Sequence, residues 1–472
     1  MHLLKNNIEE SKELDLLTKF KNMLVPAKKK KRAFWEGGKL TKNNNFNPLA
    51  INEFEYLARV DRIVLRNRAR WLKENNAIMS NIDKTIVNNV IGNGITLQSK
   101  TGINRVDNEI EELFKKWMKN CDVTGRVNFK DLQRIILENR MVDGEIFIYK
   151  KITDDSKHPF KLQLLESSRL NESEGINGVE IGSNGEVKGY YFISAKNPYE
   201  SSFDTVFIEA KNIIHYFKLE NPSQYRGMSE YKQAIMDLKN FMSFNSSLIE
   251  AVRARANIAY VIKSDAGIKD FMSEEEYEDI QTINGLSVFY LNKGEDITKL
   301  DPDIVSGEYK PFVESVIRLI ASARNISYEL AYRDFSKVNF SSARASIIQD
   351  NKRFDHEQQH LIDYVLTPIF NEWLEVNVLA GNLKTIKPSI YLNNKDKFQK
   401  PVWIRPAREW VDPLKDIKAI ESELNLGITT LSDVVASKGK DLEEILIQRK
   451  KEKELFEKYG IDTSTTNKND KK

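Results

Sequence analysis

The sequence predicts an α+β fold, with its β-structure gathered in one central stretch and helices before and after it. Three observations carry this. Short β-branched and aromatic runs separated by turn clusters fill residues 144–218. Apolar residues recur at helical spacing over 53–91, from Ser229 onward, and from Ser341 to Leu379. The stretch Pro401–Leu446 is dense in helix start and stop signals.

Taken in order, residues 1–58 hold a short amphipathic pattern, the basic run Lys28–Arg32 and the Asn-rich stretch NNNFNP, and read as a solvated arm with little core. Over 53–91 the pattern is helical. Arg59, Arg62, Arg66 and Arg70 fall at three- and four-residue steps, a cationic stripe that reads as a solvated face partly balanced by Glu55 and Asp61. The same stripe, joined to Lys28–Arg32, is what a DNA-binding reading would use. Gly92-Asn93-Gly94 ends the helix, and extended structure starts at Ile95. Helices are expected over 107–120 and 128–141, with Phe114 and Trp117 on the apolar side of the first. The runs EIFIYK, FKLQLLE, GVEI, VKGYYFIS, TVFIEA and IIHYF then predict one antiparallel β unit, with a hairpin turn at Ser183-Asn184-Gly185.

Ser229 opens a helix of about seven turns, some 40 Å long at 1.5 Å per residue. It ends in the strand-like IAYVIK. Residues 264–310 read as a small α/β unit, with a Ser273–Glu276 capping box and the strand GLSVFYL. Pro311 starts another helix. The pattern from Ser341 to Leu379 spans nearly 60 Å by the same rise, roughly, and carries Pro368, which removes a backbone hydrogen bond and bends the chain. Three short helices follow: Asp412-Pro413 opens the first and Gly427 stops it, Thr430 with Asp433 caps the second and Gly439 ends it, and Asp441 caps the third. They cannot bury much surface alone and need a neighbour. The tail after Gly460 is polar.

The 472 residues are 40% hydrophobic and 30% charged, with a formal net charge of +3 and 72 basic against 69 acidic side chains, so the molecule is not a DNA-coating cation. No long uncharged apolar run suits a membrane span, and the mean hydropathy is -0.50. The acidic residues of the N-terminus do not suit a signal peptide. A single cysteine, Cys121, excludes an intramolecular disulfide and a Cys-based zinc site. There is no Walker A loop, no G-x-G-x-x-G and no G-x-S-x-G, so a P-loop ATPase is excluded. One motif points to an enzyme: His356-Glu357-Gln358-Gln359-His360 reads H-E-x-x-H on a helix, the spacing that holds zinc with Glu as general base. No histidine follows His360 to complete the site, and Asp363 and Leu366 occupy the places an extended motif needs. The alternative is two histidines at i, i+4 on a surface or between helices.

Several segments are similar to one family. REWVDPLKDIKA, the GITT turn and GKDLEEI resemble the C-terminal signature of lambda-type bacteriophage portal proteins. YELAYRDFSKVNFSSAR, from Tyr328 to Arg344, is similar to the family's D-x-S-x-x-N-Y-S-S-A-R segment, with Phe340 where Tyr is usual. NPSQYRG resembles R-P-G-Q-x-R-G, with Asn221 and Ser223 departing from it. The Arg-rich helix from Arg59 runs into VIGNGI as the family's does into V-V-G-x-G-I, and LQRIILENRMVDGEIF and LQLLESSRL add to the likeness. The resemblance covers about 59–450.

It implies a portal-type fold: an N-terminal arm over 1–58, an α/β wing over 59–228 that is β-rich in its second half, and a first stem helix over 229–262. A clip over 263–310, a second stem helix over 311–326 and a tunnel loop over 327–341 follow. A long kinked helix and wing return occupy 342–400, a helical crown 401–460, and a disordered tail 461–472. The resemblance also implies a non-enzymatic ring of identical copies, typically twelve, at one capsid vertex of the virion, assembled in the host cytoplasm, with no cofactor, no metal and no membrane. Double-stranded DNA passes through the channel during packaging and ejection. Terminase large subunit, head-tail adaptor, major capsid protein and scaffold are its partners. Arg333, Lys337 and Asn339 in the loop are the expected DNA-facing residues, moderated by Glu329 and Asp334. Glu274, Glu275, Glu276, Glu278 and Asp279 in the clip are expected to face terminase or adaptor. The runner-up reading is a zinc metallopeptidase of capsid maturation using His356, Glu357 and His360.

Overall fold

A computed structural model of the chain describes residues 54–194, 204–263, 282–283, 286–291, 309–336, 339–407 and 413–460. The predicted helix over 53–91 is two: α1 (Phe54–Asn75) and α2 (Ala77–Val90). The break sits at Asn76, whose backbone is extended and whose side chain accepts from the Met79 amide at 3.0 Å. An Asn is a good N-cap, so it starts a new helix rather than continuing the old one. Next come β1 (Thr96–Ser99), α3 (Asn104–Trp117) and α4 (Phe129–Asp143).

The β-rich stretch forms two sheets, not the single unit expected. In the first, β2 (Glu145–Ile152) is central, antiparallel to β3 (Phe160–Glu166) and β7 (Ile213–Phe217). In the second, β5 (Val187–Ser194) is central between β4 (Val179–Ile181) and β6 (Asp204–Glu209). The expected hairpin joins β4 and β5 through Gly185 at φ +83°. The split follows from the apolar side chains of both sheets: Phe147, Leu165 and Ile213 of one pack on Val179, Tyr190 and Phe192 of the other, forming a small core between layers.

The helix expected from Ser229 begins later, as α5 (Ile235–Asn257), because residues 230–234 form turns and Tyr231 is buried. After Phe241 none of its described side chains is fully buried. Then come β8 (Ile258–Lys263), β9 (Thr282–Ile283) and β10 (Leu286–Leu291), with β10 parallel to β8 and antiparallel to β9. The Ser273–Glu276 capping box lies outside the described residues. The chain returns as α6 (Tyr309–Ala323), which packs Val313 and Ile317 on Phe241 and sets Phe312 against Phe244, tilted by 55° at 4.7 Å between ring centres. α7 (Tyr328–Tyr332) is a single turn.

α8 (Phe340–Leu361) and α9 (Thr367–Leu379) are one helical run, joined through a π turn at Ile362–Leu366. Pro368 has no amide proton to give to a carbonyl in the turn before it, and the wider π spacing sits just upstream. After α10 (Pro388–Asn393) and α11 (Lys395–Phe398), β11 (Pro401–Ile404) pairs antiparallel with β1, Thr96 opposite Ile404. Periodicity gave no sign of this strand, which is four residues long. The last helices are α12 (Pro413–Asn425), α13 (Leu431–Ser437) and α14 (Leu442–Lys458). The Thr430–Asp433 capping box is present in both directions, and Asp441 caps α14 through the Glu443 and Glu444 amides. Neither α13 nor α14 buries a residue. Asp412 lies outside the described residues.

The main core lies where α3, α4 and α9 meet β1, β2 and β11. Trp373 is fully buried at its centre, edge-on to Phe114 at 4.9 Å and near Trp117 at 6.1 Å. Trp117 donates its indole proton to the Phe160 carbonyl at 2.6 Å, which ties the helices to β3. Replacing Trp373 by Ala leaves an aromatic-sized cavity in close-packed surroundings. The expected loss is about 3–5 kcal/mol, read as a lower denaturation midpoint of the purified chain at unchanged m-value.

Candidate functional site

The expected solvated arginine stripe on α1 is a correction: it faces inward. Arg62 is buried, donating to Glu55 at 2.8 Å and to the Gly227 carbonyl at 3.1 Å. Arg66 donates to Ser167 Oγ at 3.0 Å, and Arg70 holds Asp143 through Nε at 2.8 Å and Glu166 at 3.0 Å. Arg59, exposed, reaches the Glu172 carbonyl at 3.2 Å. These cations tie α1 to the first sheet and offer no continuous face to a nucleic acid.

The segment 220–227 is wrapped on itself and on a buried ion pair. Gln224 accepts from the Glu220 amide and donates to the Arg226 carbonyl. Arg226 and Glu145 are both fully buried, joined through Nε at 2.8 Å, and Glu145 also accepts from the Gly227 amide at 2.9 Å. His215 Nε2 lies 2.9 Å from the same carboxylate. The close crossing demands glycine: a Cβ on Gly227 would sit 2.2 Å from the Gly144 carbonyl oxygen, and Gly144 has φ +94°. Burial alone would raise Glu145, but Arg226 and His215 outweigh it and hold the carboxyl well below its usual range.

A second polar cluster forms where α5 and α6 join the body. Glu230 accepts from Arg140 at 2.6 Å, Lys218 at 2.9 Å, Arg324 at 3.1 Å and Arg353 at 3.4 Å. Arg140 also holds Glu357 at 2.8 Å, and Arg324 holds Asp83 at 2.9 Å. Tyr231 donates to Asp83 as well. Burial pushes Asp83 up to about 6 despite Arg324 and Tyr231, whereas the surrounding cations overcome burial at Glu230 and hold it well down. The cluster forms one wall of an open cleft of about 1140 Å³, whose other walls are the end of α6, the start of α7 and the middle of α8.

This cluster also settles the use of the H-E-x-x-H residues. Glu357 is buried and its carboxylate is engaged by Arg140 and Lys218, not free to act as a base. His356 and His360 stack on each other at 6.3 Å, and His360 Nδ1 meets the Tyr216 hydroxyl at 3.1 Å. Burial pushes His360 down to about 4, so it is neutral. Among the described residues no group of three or more His, Cys, Asp or Glu is arranged to hold a metal. The motif is a helix face packed on an ion-pair cluster.

Across the cleft stands the loop from Ser327 to Asn339. Ser327 caps α7 and Asn81 of α2 donates to the carbonyls of Ala331 (2.8 Å) and Leu330 (3.3 Å) at its other end. Arg333 follows with φ +57° and an exposed side chain, between exposed Tyr332 and Phe335. Asp334 accepts from the Ser336 amide at 3.0 Å. Asn339 is the N-cap of α8, accepting from the Ser342 amide at 2.9 Å. Of the expected DNA-facing residues, Arg333 and Asn339 therefore bracket one loop, and Lys337 lies outside the described residues. So do Glu274, Glu275, Glu276, Glu278 and Asp279. Sequence reasoning missed Asn81, Asp83, Arg140, Glu145 and Glu230. Their spacing in the chain carries no trace of the partners that give them a role.

Glu145 supplies a pH test with a definite sign. Its folded value is depressed, so its contribution is complete above the unfolded value of about 4.3 and is lost as the pH falls through the folded value. At neutral pH, Glu145→Gln leaves Arg226 buried without its main counter-charge, an expected loss of about 3–5 kcal/mol. The gap between wild type and variant in urea unfolding should stay constant from pH 7 to 5 and narrow below about pH 4. A gap that widens on acidification contradicts the assignment.

The chain's likenesses can now be set beside this geometry. Over 432 residues it is 27% identical to a probable portal protein of Halomonas phage phiHAP-1, covering 85% of this chain and 82% of that one. It is 21% identical over 387 residues to portal protein B of Escherichia phage lambda, covering 73% of each. Among solved structures it is similar to a chain in the virion of a native gene transfer agent particle, with a TM-score of 0.42, 14% identity, and coverage of 80% of this chain and 93% of the other. A chain in the neck of an empty particle of that kind gives 0.44 at 13% identity, covering 80% and 94%. The family model for phage portal protein, lambda family, matches residues 47–358, which takes in the arginine helix, both sheets, the polar cluster and the loop, and the chain belongs to that family.

Proposed function

We propose that the chain is the repeating subunit of a portal ring at one vertex of a phage capsid, and that the ring is the channel through which DNA is packaged and ejected. Its family membership over residues 47–358 carries this reading. The subunit makes and breaks no bonds. A separate terminase ATPase drives the DNA, and a head-tail adaptor later docks at the exposed end, with major capsid protein and scaffold around the rim. No helix among the described residues is long and apolar enough to cross a membrane.

In this reading α5 and α6 are the stem helices, and their pairing outside the main core supports it. Residues 263–310 are the clip between them, residues 401–460 the crown and residues 59–228 the wing. The continuous run of α8 and α9, with its π turn, is the long kinked helix. The loop of Arg333, Lys337 and Asn339 faces DNA. Its support is chemical: an exposed guanidinium in a left-handed backbone that ordinarily favours glycine, raised on a helical turn pinned at both ends. Asp334 and Glu329 moderate its charge, which suits a surface that must let DNA slide.

Two outcomes test the reading. Neutralising the loop with Arg333→Gln and Lys337→Gln should leave ring assembly intact in negative-stain images while weakening DNA retention. The salt slope of retention should fall by about 0.9 for each phosphate contact removed. Unchanged retention and packaging remove the loop from the channel wall. Reversing the charge of Glu274, Glu275, Glu276, Glu278 and Asp279 should weaken terminase or adaptor docking to assembled rings at least tenfold. Equal affinity puts the docking surface elsewhere.

A further inference from the structure

The turn between α6 and α7 is gripped from one side by a single helix. Asp350 of α8, buried to 5% exposure, accepts from the Ser327 amide at 2.9 Å and from the Ser327 hydroxyl at 2.5 Å. Three residues further along the same face, Arg353 donates to the carbonyls of Arg324 and Asn325, the latter at 3.3 Å, and to Glu230 at 3.4 Å. An acid thus takes the turn's donors and a base takes its acceptors. The turn ends α6 with its own backbone bonds, the Ile326 amide on the Ala321 carbonyl at 3.0 Å and the Asn325 amide on the Ser322 carbonyl at 2.9 Å, with Asn325 left-handed at φ +48°. Arg353 meets the open carbonyls at the C-terminal end of α6, where a cation is favoured. Asp350 meets the amide at the start of α7, where an anion is favoured.

We infer that Asp350 and Arg353 are positioning residues for the loop that begins at Ser327, holding its base in register with α8 so that Arg333 is presented at a fixed height. This rests on the reading of that loop as the DNA-facing one. The geometry makes α8 the frame of the loop at both ends. Its N-cap, Asn339, closes the loop, and its fourth turn holds the loop's start. Any displacement of α8 would carry both ends of the loop together. On the opposite side Asn81 pins α7 to α2. The loop is therefore clamped between two helices, and only the segment from Tyr332 to Val338 lies between the attachments.

Amide hydrogen exchange on the full-length chain tests the grip. Asp350→Ala removes the acceptor for both Ser327 groups, and Asp350→Asn keeps a carbonyl acceptor for the amide. The positioning role predicts at least tenfold faster exchange for peptides covering 324–336 in Asp350→Ala. It predicts an intermediate value in Asp350→Asn, and little change in peptides from β2 or α9. Arg353→Gln should accelerate the same peptides. Equal acceleration everywhere in both Asp350 variants, or none in 324–336, overturns the inference. DNA retention by assembled rings separates the two claims. A loosened loop with reduced retention supports both. A loosened loop with wild-type retention upholds the positioning and removes the DNA-facing reading.

Discussion

A guanidinium cannot be left alone in a protein interior, and that constraint organises this molecule. Arg62, Arg140, Arg226 and Arg324 are each almost wholly buried. Unpaired, each would be prohibitively expensive. Each has a partner remote in the chain: Arg62, paired with nearby Glu55, also reaches the carbonyl of Gly227, Arg226 reaches Glu145, Arg140 reaches Glu357 and Arg324 reaches Asp83. Satisfying all four at once fixes where α1, α2, α4, β2, the 218–230 segment, α6 and α8 must lie. Apolar contacts fill the space between these elements, but they are non-directional and would accept many neighbouring arrangements. The ion pairs accept few.

Such pairs are weak arguments for stability, because desolvation offsets much of the Coulomb attraction. Here the pairing is also incomplete. Among the described residues, Arg62 Nη1, Arg140 Nε and Arg324 Nε are buried without a hydrogen-bond partner. Well-packed hydrophobic residues of similar volume often match or exceed a buried ion pair in stability, so the arginines are better explained by what they specify than by how tightly they bind. The junction at Glu230 is the clearest case. One carboxylate meets cations from α4, the 218 segment, the end of α6 and α8. It sits where two helices leave the main core, the place at which a small error in angle would be magnified along their length.

Much of the fold was legible in the sequence where the deciding interactions are local. The Thr430–Asp433 box, the Asp441 cap and the hairpin at Gly185 involve residues within a few positions of one another, and each is found where expected. The π turn next to Pro368 follows from the same local chemistry. The break at Asn76 is a local miss, a cap made three residues on, and the other failures are non-local. The stripe Arg59, Arg62, Arg66 and Arg70 has the spacing of a solvated face, and nothing nearby says that Ser167, Asp143 and Gly227 will cover it. The H-E-x-x-H spacing is local, but its meaning depends on Arg140, 217 positions away. β11 is visible only once β1 is beside it. At the candidate loop the caps, Ser327 and Asn339, are local, while the clamps, Asn81 and Asp350, are not.

The portal reading places two demands on such a subunit that pull against each other. DNA has to be met at a defined place, and it must not be held there. Attraction cannot satisfy both, since each phosphate neutralised adds affinity and a ring multiplies the contacts. Mechanical support can. Most of the cations described above are already spent on internal carboxylates, and 72 basic residues against 69 acidic leave little surplus charge. Among the described residues the loop keeps an exposed arginine beside an aspartate, standing on a turn that two helices hold. A weak contact on a stiff support fixes position through the protein's own packing and leaves the nucleic acid free to move, and for that reason the buried charges matter more to a conduit than the exposed ones.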